Sequence, residues 1–433
     1  MSTQNNHSED KPLIYVAPSK RRIFFIILFG LFMIDFIARV GINAIFPIIQ
    51  EDLGLSDSEV GMMGSVVLFG MAAFVLPISF LGEKYSPKKA ISISAFVWTI
   101  GTFLSGLASS YYLLLVSRFL VGTGNSAYAP LSNSLITSMY CKKDWGKMIG
   151  IYNMAMTFGM AAGSIVFANI AASYGWRAAF YSVGAVSLAL ALMSLSLPDS
   201  VKLLKQQYQK THDTSKKEEK NEVRVLDALK VLGKNKALIG VCLGAGFTAL
   251  VLQGIASWVS IFYVREMNMS VQFAATLVSA ASLISSLGYP IGGALMDKWY
   301  VRDKRGRVYL PAICLTLAVI SFIIAFYFHV VALVFAGMFL ITTANTSFHV
   351  ATQELVPSWY KSVSYGVYVL FIQLFGAFGP MITGSLSEAF GLTQALSILQ
   401  ISAAIAVVVF IVTSLWYVKD FNKARMLEEQ HAE

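Results

Sequence analysis

Charge is scarce in this chain: Asp, Glu, Lys and Arg supply 13% of its 433 residues, against 56% hydrophobic residues. A soluble domain has no use for so much apolar surface, so that class is excluded. Cysteine is nearly missing. The three present, Cys141, Cys242 and Cys314, fall on separate segments without ligand spacing, which argues against both a disulfide framework and a metal centre. No stretch combines a nucleophile with a base, so an enzyme is disfavoured and no cofactor is implied. A small-residue cleavage site after the first apolar run is lacking too, so that run reads as a retained helix rather than a signal peptide.

What the chain has in abundance is apolar runs of about 20 residues, the length at which a helix crosses a hydrocarbon core. Twelve are legible, at 23–50, 57–81, 89–109, 112–140, 145–172, 177–198, 237–265, 272–296, 308–328, 331–356, 361–387 and 392–418. The fold class expected is therefore an all-α membrane protein. Pro47, Pro77, Pro130, Pro290 and Pro380 fall inside these runs and are expected to mark kinks, which membrane helices tolerate when neighbours satisfy the freed backbone groups. Of the 33 basic residues, only Arg39, Arg118, Arg177 and Arg265 fall outside the tails and even-numbered connections that face one side. By the positive-inside rule that side is cytoplasmic, with both termini on it. The net charge of +9 is thus a topology signal and needs no nucleic-acid partner. On the opposite side lie Glu51, Asp52, Asp57 and Glu59, with Ser56 and Glu59 spaced as a capping box.

A polar interruption, KLLKQQYQKTHDTSKKEEKNE, divides the runs six and six. The expected organisation is a cytoplasmic tail at 1–22, a six-helix bundle at 23–198, a linker at 199–236, a second six-helix bundle at 237–418 and a cytoplasmic tail at 419–433. Within the linker, VRVLDALKVL (223–232) has the pattern of a short amphipathic helix lying on the membrane. The halves repeat. SFLGEKYSPKK (79–89) follows the second run and GALMDKWYVRDKRGR (293–307) the eighth, placing Glu83-Lys84 and Asp297-Lys298 at equivalent helix ends before a basic turn. A carboxylate there can dock on N–H groups and basic side chains of a neighbouring helix, so these four residues are assigned to gating, with interfacial anchoring the plainer alternative.

On these residues the chain resembles the major facilitator superfamily. Its signature after the second span, approximately G-x-L-x-D-R-x-G-R-K, is matched by Gly293, Leu295, Asp297 and Lys298, while the first copy has Ser79 and Glu83 in place of Gly and Asp. SRFLVGTGNS (117–126), YGWRAAF (174–180) and FGAFGPMITG (375–384) add to the likeness. The resemblance implies two six-helix bundles that rock about a central site, giving alternating access.

Two charges interrupt the first run. Asp35 and Arg39 are four residues apart, on one helical face, at a depth where an unpaired charge costs about 3 kcal/mol. Such a face is expected to look into a wet cavity, with Arg39 holding a substrate anion and Asp35 titrating in a coupling or relay role. An internal ion pair is the structural alternative. Arg39 through Pro47 resembles the first-span pattern D-R-x-x-L-S-x-A-x-P of sugar-acid:cation symporters. It is also similar to the R-x-x-x-x-A-x-P-like helix of organophosphate antiporters, and spinster-type carriers share the element. Two departures matter. Where the symporters carry acids, this chain has Ala38 and Asn125, and where the antiporters complete a phosphate site it has Leu252 and Met156.

Arg118 is the second intramembrane base, in line with Asn125 and Ser132 at a spacing of seven, and is assigned either to relay with Asp35 or to direct binding. The second half offers neutral polar groups: Gln253 and Ser257; Asn345, His349 and Gln353; Tyr365, Tyr368 and Gln373. Of these, Gln253, Asn345, His349, Tyr365 and Gln373 join Arg39 and Asn125 as substrate-binding residues able to hydrogen-bond hydroxyls; interhelical glue is their alternative role. Glu354, nearer the cytoplasmic face, reads as a gate or anchor. Gly159, Gly163, Gly376 and Gly379 read as close-packing positions.

The sequence thus points to a secondary transporter of a small organic anion, a carboxylate or sugar acid, with a proton or another ion as coupling partner. It is placed as a monomer in the lipid bilayer of a bacterial inner membrane. Organophosphate/phosphate exchange, export of amphipathic lipid-like or drug-like compounds, and a transporter-like receptor remain the alternatives.

Overall fold

The computed structural model describes residues 12–126, 128–141, 144–200, 202–203, 233–357 and 360–432. Among them there is no strand. The helices are α1 (Pro18–Leu53), α2 (Asp57–Tyr85), α3 (Pro87–Leu107), α4 (Tyr111–Asn125), α5 (Tyr128–Met139), α6 (Trp145–Tyr174) and α7 (Trp176–Ser194), followed by α8 (Lys236–Arg265), α9 (Val271–Ser286), α10 (Gly288–Tyr300), α11 (Gly306–Phe328), α12 (Val331–Glu354), α13 (Lys361–Phe390) and α14 (Leu392–Ala432). Among the described residues, eleven stretches are long and apolar enough to cross a membrane, with α9 and α10 counted together as Val271–Tyr300.

Helix starts are set by caps. Ser56 and Glu59 form the expected reciprocal pair, with Ser56 N–H donating to Glu59 Oε2 at 2.9 Å and Glu59 N–H to Ser56 Oγ at 3.3 Å. Ser86 caps α3 directly before Pro87, a position where the missing proline N–H costs nothing. Asn235 caps α8 and also donates its amide to the Leu355 carbonyl at 2.8 Å. Gly175 and Gly391 join α6 to α7 and α13 to α14 with nearly the same backbone, φ 81° and φ 85°, each with ψ 156°. Such angles favour glycine. The internal repeat therefore extends to these joints.

Two spans are not continuous as expected. The fourth breaks between α4 and α5, with the Ser126 hydroxyl turned back on the Thr123 carbonyl, and the eighth breaks at Leu287. Each break lies three or four residues before a proline, Pro130 or Pro290, where the ring removes an i→i−4 bond and crowds the carbonyl it should have met. Pro47, Pro77 and Pro380 stay inside unbroken helices. The amphipathic segment expected at 223–232 lies outside the described residues.

Compactness divides the chain into two units, Met1–Leu53 with Phe69–Glu218, and Gly54–Leu68 with Glu219–Glu433. The first part of α2 thus groups with the second unit. In the first unit α1 packs along α6, and α3 along α4 and α7. The α1–α6 approach is close because Gly41, Gly159 and Gly163 lie at the crossing: a Cβ on Gly159 would stand 2.6 Å from the Met33 carbonyl oxygen. Beside it, Leu28, Leu31, Trp98, Tyr128, Leu131 and Tyr152 form the buried core. In the second unit α8 is the central helix, packed on α13 and α14, with α11 between α12 and α14. There Asp57 takes both Arg265 guanidinium nitrogens at 2.8 and 3.0 Å and accepts from Ser387 Oγ at 2.6 Å.

Candidate functional site

The first unit gathers three ionisable side chains below the surface. Asp35 is 3% exposed, and Arg118, on α4, is 1% exposed. Arg39 retains 16% of its side-chain surface and lies 3.9 Å from Asp35 at the nearest N–O approach. That separation is an ion pair without a hydrogen bond, since charge-assisted N–H···O bonds run about 2.7–2.9 Å. Arg39 instead lays its guanidinium over the Phe36 ring, 4.2 Å from the centroid, and points Nη1 at Met71 Sδ at 3.2 Å. Both partners are weak. The Arg39 Nε and Asp35 Oδ1 atoms are buried without a hydrogen bond.

Arg118 takes a different posture. Its Nη1 and Nη2 donate to the backbone carbonyls of Ala38 and Arg39, each at 3.3 Å. It therefore holds the α1 backbone at the residue that carries the partly buried Arg39 guanidinium, which a planar fork does well. Asp35 feels the charge of both arginines. On the same α4 face, Asn125 is buried with neither amide atom hydrogen-bonded, and the hydroxyls of Ser132 and Tyr152 gather beside Tyr128. Tyr128 donates to the Leu28 carbonyl at 2.8 Å, and the Tyr152 ring stacks on Phe32 at 4.6 Å. The result is a polar spot, backed by aromatic rings, with more hydrogen-bonding capacity than the protein itself consumes.

The helix bundle around this polar spot matches a known family. The model of the family described as Major Facilitator Superfamily matches residues 27–380. The chain belongs to the Major Facilitator Superfamily. Similar members include the probable sulfoacetate transporter SauU of Cupriavidus necator, 32% identical over 163 residues that make up 38% of each chain. The probable L-galactonate transporter of Escherichia coli is 22% identical over 293 residues, 67% of this chain and 64% of that one. The matched stretches thus span less than two thirds of either relative. The crystal structure of a bacterial homolog of the human lysosomal transporter spinster, inward-facing and unoccupied, has a TM-score of 0.80 at 22% identity, covering 94% of this chain and 99% of that one. That likeness shows the superfamily fold.

The second unit of this superfamily member carries its own cluster. His349 on α12 meets the edge of Tyr365 at 4.6 Å between ring centroids and lies 6.5 Å from Tyr368, while Gln353 reaches the His349 Nε2 at 3.4 Å. Gln253 on α8 packs its Cγ against Gly376. Asn345, one turn before His349, and Gln373 on α13 are half-buried.

At the end of α12 a third group forms around Arg307, a residue outside the signature motif. Arg307, 6% exposed, holds Glu354 with two bonds, Nε to Oε2 at 3.1 Å and Nη2 to Oε1 at 2.8 Å, and reaches Asp297 with Nη1 at 3.1 Å. Tyr417 adds a 3.4 Å bond to Glu354. Glu354 and Asp297 thus share one guanidinium at the start of α11, and Lys298 is exposed. The side chains of Glu83 and Lys84 lie outside the described residues. Arg307 was visible in the sequence only as one of a run of bases; Met71 and Tyr152 carried no signal at all, because their contacts with α1 are tertiary.

Proposed function

We propose that this superfamily transporter is a secondary active carrier of a small organic anion, a carboxylate or sugar acid, which docks on Arg39. The observation that carries the reading is the state of that arginine among the described residues: partly open, stacked on Phe36, bonded to a thioether, and 3.9 Å from the Asp35 carboxylate oxygen. A planar fork in that condition suits a carboxylate, which accepts two parallel N–H bonds. A phosphate dianion is less well served, because Leu252 and Met156 offer no second cation and Arg118 is committed to backbone carbonyls. Asp35 is the titratable neighbour and the group proposed to couple transport to a proton. The neutral cluster of His349, Gln353 and Tyr365 has the chemistry to recognise hydroxyls. The L-galactonate transporter named above supports the class, its printed substrate being a sugar acid. From the distribution of Lys and Arg we assign both termini to the cytoplasm, with six helices in each bundle, and the superfamily membership supports an inner-membrane location.

Uptake of labelled sugar acids into proteoliposomes tests this reading. Saturable uptake of a sugar acid, abolished in Arg39→Ala, is expected. Uptake of neutral or lipid-like compounds alone, undiminished in that variant, would overturn it.

A further inference from the structure

The organic-anion reading leaves the number of charges on the substrate open, and the side chains around Arg39 bear on it. With Asp35 deprotonated, before any coupling proton binds, the spot holds one negative charge on Asp35 and one positive charge each on Arg39 and Arg118. Among the described residues Asp35 is paired with Arg39 at 3.9 Å, and Arg118 has no carboxylate within 4 Å. The partners of Arg118 are carbonyl oxygens, which accept its hydrogens without cancelling its charge. The Tyr128, Ser132 and Tyr152 hydroxyls and the Asn125 amide are neutral. One positive charge is therefore left uncompensated at a depth where charge is expensive.

A single negative charge on the ligand brings the spot to neutrality. A second would meet the Asp35 carboxylate, one helical turn from the Arg39 guanidinium and with its Oδ1 lacking any hydrogen bond to soften the repulsion. We infer that the site is selective for singly charged organic anions, aldonates and uronates, over doubly charged aldarates, and that Asp35 sets this limit by repelling the second carboxylate. Asp35 then works as the repulsive half of a specificity device whose attractive half is Arg39. The inference rests on the reading that an organic anion docks at Arg39.

The test uses the full chain, purified, with thermal stabilisation titrated at pH 7 by gluconate, galactonate and glucuronate against glucarate and galactarate, in wild type, Asp35→Asn and Asp35→Glu. Two like charges a few ångströms apart at a partly buried site interact strongly enough for about a tenfold or larger preference. The expected result is that monoanions half-saturate wild type and Asp35→Glu at least about tenfold below the dianions, and that Asp35→Asn erases or reverses the gap. Equal binding of both series by wild type overturns the inference while leaving the organic-anion reading intact, and so does an unchanged gap in Asp35→Asn. Should that variant fail to fold, the wild-type ratio and Asp35→Glu still decide. Binding of neither series overturns both readings together.

Discussion

Asp35 and Arg39 lie one helical turn apart on α1, yet their nearest approach is 3.9 Å, and the Arg39 Nη1 turns to the sulfur of Met71 at 3.2 Å instead. An i,i+4 pair that served only to hide two charges in a membrane would close to hydrogen-bond distance, because the desolvation cost of each charge is repaid only by good geometry. This pair is held open. Arg118 contributes to that by fixing the α1 carbonyls at Ala38 and Arg39.

Arg39→Ala is therefore expected to remove ligand-induced thermal stabilisation by sugar acids, a loss of about 2–5 kcal/mol in binding, as when one partner of a desolvated charge pair is deleted. Arg39→Lys keeps the charge but loses the fork and the stacking on Phe36, so it should recover only part of the affinity. Titrations of melting temperature against ligand concentration measure both. Full recovery by lysine would mean that the guanidinium plane is not used.

Arg118→Met separates positioning from folding. Methionine fills similar volume without a charge to bury, and Arg118 pairs with no carboxylate that its loss would strand, so the melting temperature of the empty protein should change by only a few degrees. Anion affinity should fall at least about tenfold, since the α1 backbone at Arg39 loses its anchor and the spot loses a positive charge. Equal affinity in wild type and Arg118→Met would assign Arg118 a purely packing role.

Most of the fold was legible because hydropathy and caps are local. The start of α2 follows from Ser56 with Glu59, readable within four residues, and Ser86, Ser110, Asn235 and Ser270 cap other helix starts in the structure by equally local bonds. The breaks at Ser126 and Leu287 were not, since Pro130 and Pro290 look in sequence like Pro47 and Pro380, which sit in continuous helices. Tertiary neighbours decide which proline is absorbed. The site divides in the same way. The shared face of Asp35 and Arg39 followed from helical spacing, whereas the aim of Arg118 at a backbone carbonyl depends on how α4 meets α1.

The α11–α12 anchor should be asymmetric. Glu354 takes two bonds from a buried guanidinium, while Asp297 takes one and is 72% exposed in its side chain. Glu354→Ala leaves Arg307 without its main partner, at a cost of about 2–4 kcal/mol in stability. Asp297→Ala should cost less than about 1 kcal/mol, because solvent already screens that contact. Denaturation of the two variants side by side checks the order; comparable losses would show that Asp297 carries more than its exposure suggests.

The closeness of α1 and α6 gives a last prediction with an internal control on the same helix. A Cβ at Gly159 would sit 2.6 Å from the Met33 carbonyl oxygen and 2.7 Å from the Phe36 Cβ, whereas at Gly150 it would meet nothing within 4 Å. Gly159→Ala must push α6 off α1 and should destabilise by about 1–3 kcal/mol, the range for overpacking. Gly150→Ala should stabilise by about 0.5–1 kcal/mol through helix propensity alone. The stronger consequence concerns binding. Phe36 is the ring on which the Arg39 guanidinium rests at 4.2 Å, so a shift of Phe36 is transmitted to the anion site. Sugar-acid affinity should therefore drop in Gly159→Ala and stay unchanged in Gly150→Ala. A destabilised Gly159→Ala that binds with wild-type affinity would uncouple the helix crossing from the arginine it supports.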